Sequence, residues 1–248
     1  MTVRIGPLSL DWYGYATIRI GGPENTIYLD PGRYGVLSGE WAADTPTQER
    51  HPESLDRRPE DGDVICISHI HHYDPDGIER VATNDATLVV FEGLSVHDTD
   101  RTDTRPVDLP YDLRQVGAED EVAVNDVPIF TVPAFNAPDG PHTRSNGTPY
   151  HPEGFGCGFV IAIGGHRVFW PGDTDVLPGH TALQIDVVLP PIGGSFTMDR
   201  HEAAELVTDL GPRLAVPVHY NTFDALETDD RAFAADVAEA GVPIALDR

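Results

Sequence analysis

The residues of this chain best suited to chemistry are Ser68-His69-Ile70-His71-His72-Tyr73-Asp74, which follow directly on the apolar run Val64-Ile65-Cys66-Ile67. Imidazole nitrogens are good ligands for zinc and its neighbours, and a carboxylate adds a hard oxygen. Alternate positions of an extended segment share one face, so His69 and His71 can approach the same cation. Three further pieces lie downstream: a loop with His142 and His151, Gly172-Asp173-Thr174-Asp175 after Val168-Phe169-Trp170, and His219-Tyr220-Asn221 after Ala215-Val216-Pro217-Val218. Each has an ordinary explanation by itself, since an Asp after a strand is commonly a turn former or helix cap. Four such pieces at the ends of apolar runs point instead to one metal centre.

The elements that must position them follow from pattern and punctuation. Short β-branched and aromatic segments at about 4–12, 15–20 and 25–29, separated by Gly-Tyr and Gly-Gly-Pro turns, predict a meander. Residues 34–59 are polar and proline-rich, and read as an excursion or lid. A buried-type strand at 64–68 leads to a helix near 76–83 and a strand at 87–91. Strands at 121–124, 128–132, 155–163 and 167–170 repeat the meander, with a turn at Gly164-Gly165. Strands at 185–189, 214–218 and 242–246 alternate with helices at 200–210 and 229–240. A meander followed by alternating strand and helix thus occurs twice. We expect an α/β fold of two mixed sheets face to face with helices outside, as a single domain over 1–248.

Composition narrows the function classes. The formal charge is −25, from 41 acidic and 16 basic residues, and every basic residue is arginine. Acids spread through every segment, with ordinary apolar content, read as adaptation to molar salt, where screening removes self-repulsion. An acidic surface argues against phosphate-backbone recognition, so no nucleic acid partner is expected. No long apolar run spans a membrane and the first residues read as a strand, so a cytoplasmic location is expected. Cys66 and Cys157 sit in apolar runs and read as buried core residues. His51, His97, His166, His180 and His201 have no supporting context and read as surface residues; Trp12, Trp41 and Trp170 read as core or lid packing. A homo-oligomer is neither specified nor excluded.

Across nearly its whole length the chain resembles the metallo-β-lactamase-fold hydrolases, in the branch of the ascorbate-phosphate lactonases and related metal-dependent hydrolases. The motifs that carry the resemblance are Phe169-Trp170-Pro171-Gly172-Asp173-Thr174, the run from Leu189 to Met198 and the run from Val216 to Phe223. The resemblance implies an αββα sandwich with one or two metals at the edge between the sheets, Zn2+ first and Mn2+ or another divalent cation as substitutes. It implies that His69 and His71 bind the first metal, Asp173 bridges both and His219 binds the second. Two departures stand out. The usual His-x-His-x-Asp-His is replaced by His69-Ile70-His71-His72-Tyr73-Asp74-Pro75, which puts the second metal's affinity in doubt. With one inserted residue Asp74 keeps the Asp role, and either His72 or Asp76 compensates for the lost His. Asn136 stands where relatives commonly have His, and Tyr150-His151-Pro152-Glu153-Gly154 matches a variant that supplies the ligand later, so His151 is preferred to His142. Pro152 holds His151 extended, which suits a residue reaching into a cleft.

The implied activity is hydrolysis of a small ester, lactone or phosphoester by metal-activated water, with Asp74 orienting the water and accepting its proton. Gly193 and Gly194 would let a loop approach a small-molecule substrate, and Tyr220 and Asn221 would donate to an oxyanion or orient His219. A nuclease or lipid phosphodiesterase of the same fold is one alternative. A metal-binding protein that has lost catalysis is the other.

Overall fold

A computed structural model of the chain describes residues 2–246. The first sheet contains β1 (Val3–Ile5), β2 (Leu8–Gly14), β3 (Thr17–Gly21), β4 (Thr26–Leu29), β5 (Gly62–Ile67), β6 (Ala82–Phe91) and β7 (Asp112–Val116) in sequential order. β1 to β4 pair antiparallel and β4 to β7 parallel. The second sheet has six strands, β8 (Glu121–Val124), β9 (Val127–Ala134), β10 (Gly156–Ile163), β11 (His166–Trp170), β12 (Val187–Val188) and β13 (Leu214–Ala215). It too is antiparallel at first and parallel from β11 to β13. The expected two-fold pattern is therefore present.

Helix α1 (Pro75–Val81) connects β5 to β6, α2 (Pro178–Thr181) precedes β12, α3 (Arg200–Leu210) connects β12 to β13, and α4 (Asp230–Glu239) follows β13. α3 packs on both α2 and α4. β2 alternates buried and half-buried residues, as a strand with one face on the core does, whereas β5 is almost wholly buried because parallel strands are covered on both faces. The inner faces of both sheets contribute to one continuous apolar core, with Trp170, Tyr28, Phe159 and Phe169 among its largest members. No helix of the described residues is long and apolar enough to cross a membrane.

Several boundaries differ from expectation, each for a local reason. The first strand breaks at Gly6, whose φ of 54° turns β1 back onto β2. α1 starts on Pro75, where a missing N–H costs nothing, and ends before Ala82, so β6 begins directly. β12 and β13 keep two residues each because the prolines at 190, 191 and 217 have no N–H for the ladder. The strand expected at 242–246 is reduced to one bridge, Ala215 to Ile244. β7 was not anticipated, because its mostly exposed residues lack an apolar pattern. The excursion at 34–59 buries Val36, Leu37, Gln48 and His51, and Trp41 donates from its indole to Thr222 O at 2.7 Å.

Candidate metal centre

The carboxyl ends of the parallel strands meet at one edge of the two sheets, where ligands commonly bind in open α/β sheets. β5 delivers the turn with His69, His71 and His72; the segment after β11 delivers Asp173; that after β13 delivers His219. The loop between β9 and β10 supplies His151. All but His71, which is half-buried, are 5 % exposed or less.

Two sets of ligand atoms share the Asp173 carboxylate. Its Oδ2 lies 3.7 Å from His69 Nε2 and 3.6 Å from His151 Nε2. His71 Nδ1 is 3.0 Å from His151 Nε2, which brings His71 into that first set. Its Oδ1 lies 3.5 Å from His72 Nε2 and 3.4 Å from His219 Nε2, and those two nitrogens are 3.3 Å apart. A tetrahedral cation with bonds near 2.1 Å holds neighbouring ligand atoms about 3.4 Å apart, so both sets have metal-site spacing. His69 Nε2 and Asp173 Oδ1 are buried with no hydrogen-bond partner. Orphaned buried polar atoms are costly, and cations placed between them would satisfy both. The residues present fit a two-metal site.

The ligands are oriented from behind. Asp30, fully buried after β4, accepts from Ser68 N at 2.8 Å, Ser68 Oγ at 2.7 Å, Trp170 Nε1 at 2.9 Å and His72 Nδ1 at 2.9 Å. This leaves the Nε2 lone pair of His72 facing Asp173. Ser68 Oγ, having given its proton to Asp30, receives His69 Nδ1 at 3.0 Å and orients that ring likewise. His151 Nδ1 donates to Phe196 O at 3.0 Å, so its Nε2 also points inward. His219 sits at φ 56°, a left-handed backbone uncommon outside glycine, held by its N–H donating to Tyr15 O at 2.9 Å.

Charge follows burial. Desolvation lowers His71 and His219 to about 4 and His151 to about 3, and pushes His69 and His72 well below the usual histidine value. All five are neutral at pH 7, the form that binds metal. Burial raises Asp30 to about 6 and, with Asp30 as a second cause, pushes Asp173 well above the carboxylate range. A cation at the site inverts that for Asp173.

A model of the beta-lactamase superfamily domain matches residues 9–219. A UPF0173 metal-dependent hydrolase of Thermococcus kodakarensis is 30% identical over 234 residues, covering 91% of this chain and 90% of its own. The chain belongs to this metal-dependent hydrolase family. Among solved structures, one from Parabacteroides distasonis superposes with TM-score 0.70 at 20% identity, covering 100% of this chain and 97% of its own. A metallo hydrolase from Ignicoccus hospitalis gives 0.65 at 20% identity, covering 96% and 94%. These show the metallo-β-lactamase αββα fold.

In this UPF0173 hydrolase the structure brings together His69, His71, His151, Asp173 and His219 of the expected ligands, and adds His72. Asp74 is a correction. Its Oδ1 accepts from Asp76 N at 3.1 Å and Gly77 N at 3.3 Å, and its Oδ2 from Arg33 N at 2.8 Å. It is the N-cap of α1, its oxygens turned to these N–H groups, and it is not among the clustered ligand atoms. Of the two residues expected to compensate, His72 lies with Asp173 and His219, whereas Asp76 is exposed and ion-paired to Arg80.

The substrate contacts expected of Gly193, Gly194, Tyr220 and Asn221 are also displaced. None lines the cavity over the metal centre, about 280 Å³ in volume. Gly193 is where the chain passes His219 closely, since a Cβ there would lie 2.6 Å from His219 O, and Gly194 supplies a φ of 70°. Tyr220 is buried against Trp12 with rings 4.5 Å apart, and Asn221 accepts Thr228 N at 2.9 Å. The cavity is lined instead by Phe196 and Phe223, which fall in two of the motif runs, and by Tyr15, Tyr34, Arg33, Arg101 and Arg144, which fall in none.

Three histidines expected at the surface are buried: His51, His166 and His180. His51, lowered by burial to about 4, accepts Tyr15 N at 2.9 Å and fixes the tyrosine that packs 4.5 Å from the His219 ring. Asn136 clamps His151 from both sides, donating its N–H to His151 O at 2.7 Å and accepting His151 N at 2.9 Å. Its amide reaches Asp175 Oδ1 at 2.8 Å, where His142 Nδ1 also bonds at 2.6 Å. Burial opposes charge on His142, but the Asp175 bond outweighs it and raises its pKa. His142 therefore supports the ligand loop and is not a ligand.

Proposed function

We propose that this protein hydrolyses a small ester, lactone or phosphoester with two divalent cations, Zn2+ first among them, at the two ligand sets that share Asp173. One observation supports this reading above all: the two oxygens of Asp173 face separate histidine sets at 3.4 to 3.7 Å. Bound cations supply Lewis-acid polarisation of the scissile oxygen and bring a water's pKa from near 16 towards about 7. The chain's part is to hold neutral imidazoles in place and to close the centre from behind with Asp30, Ser68 and Trp170. Asp173 is the one carboxylate among the cavity-lining residues, so the ligand shared by the two sets borders the cavity itself. A cavity of about 280 Å³ suits a small molecule better than a polymer, which disfavours the nuclease reading. The acid excess without lysine supports a fold kept compact by high salt.

The test is metal analysis of the protein purified in high salt, followed by a panel of aryl esters, lactones and phosphodiesters. We expect two equivalents of metal and turnover that disappears in His71→Ala and Asp173→Ala. Turnover unchanged in either variant would rule the mechanism out, and metal uptake with no turnover on any panel member would favour a non-catalytic metal protein.

A further inference from the structure

Arg33, Arg101 and Arg144 are the only arginines lining the cavity over the metal centre, in a chain where acids outnumber arginines 41 to 16. Several arginines elsewhere are taken up by carboxylates, as in Arg19 with Asp61, Arg50 with Asp230 and Arg80 with Asp56. Among the described residues none of the three cavity arginines has an acidic partner within 4.0 Å. Each is nonetheless anchored. Arg33 donates Nε–H to His71 O at 2.9 Å and lies 4.6 Å over the Tyr34 ring. Arg101 donates to Ile70 O at 2.7 Å, and Arg144 lies 5.0 Å over the Tyr150 ring. One N–H each fixes Arg33 and Arg101, leaving the rest of a five-donor fork for a ligand.

All three guanidinium groups converge on the one cavity of about 280 Å³. Guanidinium groups gathered without a counter-ion repel one another, and a bound oxyanion would relieve that repulsion with charge-assisted, bidentate hydrogen bonds. Phe196, Phe223 and Tyr34 line the same cavity and suit a short apolar or planar body. We propose that Arg33, Arg101 and Arg144 form an oxyanion-binding subsite, so that the substrate carries, besides its scissile group, a carboxylate or a phosphate monoester. The word substrate rests on the hydrolase reading; the subsite itself does not.

The test is calorimetric titration of the metal-free full chain, at one fixed chloride concentration, with phenylphosphonate, benzoate and neutral benzamide. Without metal, no anion is held by a cation at the centre. Both anions should saturate one site and benzamide should not, and the tighter anion identifies phosphate or carboxylate as the group recognised. Arg101→Gln and Arg144→Gln should each weaken anion binding roughly tenfold, with Arg144→Lys in between because it keeps charge but not the fork. Among the described residues Arg144 makes no side-chain hydrogen bond, so its variants test the subsite without disturbing the ligand turn, and an unshifted melting temperature checks this. Benzamide binding as tightly as benzoate, or anion binding unchanged in both Gln variants, would overturn the proposal. Anion binding without turnover would leave the subsite standing and remove the hydrolase reading. Turnover of neutral esters with no anion binding would do the reverse.

Discussion

The two ligand sets of the metal centre are built differently. The second, His72 and His219 with Asp173 Oδ1, is sealed: His72 is tied to a fully buried carboxylate, and His219 is held on a left-handed backbone by Tyr15. The first, His69, His71 and His151 with Asp173 Oδ2, opens onto the cavity through half-buried His71, and its third ligand comes from a long loop clamped by Asn136. The sealed side is set by the sheet ends, and the other side opens onto the cavity. Mutations should therefore separate the two.

The largest effect is expected where the sets join. Asp173→Ala should cost several kcal/mol of transition-state stabilisation, on the order of a thousandfold or more in kcat/KM, and lower bound metal below two equivalents. Retention of both equivalents would mean the sets do not share this carboxylate. Next, His219→Ala and His71→Ala should each remove about one equivalent by elemental analysis, with the remaining ion in the opposite set. Asp30→Asn keeps the shape but weakens the bond that orients His72, so affinity for the second ion should fall roughly 10- to 100-fold in chelator competition. Asn136→Ala should act by a smaller factor, and on the first ion.

Acid should expose the cost of burying neutral imidazoles. His51, His71 and His219 are lowered to about 4 and His151 to about 3, so below the unfolded value near 6.5 the unfolded chain binds more protons than the native one. The histidine contribution to the stability of the metal-free protein should be full above about pH 6.5 and fall as pH drops towards 4, offset in part by Asp30, whose raised carboxyl acts with the opposite sign. Denaturant titration at fixed salt in the wild type and Asp30→Asn reads both. A flat profile across that window would mean these rings are hydrated. The smallest effect is expected at Asp74→Ala, about 1 kcal/mol of stability from the lost cap and no change in metal content.

Most of the candidate ligands could be read in the chain because they follow apolar strands, and strand ends in this layered fold converge; His151 instead lies in the loop before β10. Asp74 misled because a carboxylate after a histidine run looks alike as ligand or helix cap, and only the N–H groups of Asp76 and Gly77 decide it. His72 was left open since its role depends on Asp30, which lies 42 positions away in sequence. The arginine rim was illegible for the same reason: residues 33, 101 and 144 share no pattern until the chain crosses over itself. Asp175 and His51 look ordinary in sequence, and their work is done through Asn136 and Tyr15.

The turn from Asp30 to Arg33 has one more consequence. Asp30 at one end steadies a metal-site histidine, and Arg33 at the other reaches the cavity. Between them Gly32 lies so close to α1 that a Cβ would meet Asp74 at 2.7 Å, and a Cβ on Gly77 would meet Pro31 O at 2.3 Å. Insertions or deletions here would shift both ends together. A change of length between Asp30 and Arg33 should therefore disturb the metal centre and the cavity rim together, whereas a side-chain exchange at Arg144 should touch the rim alone.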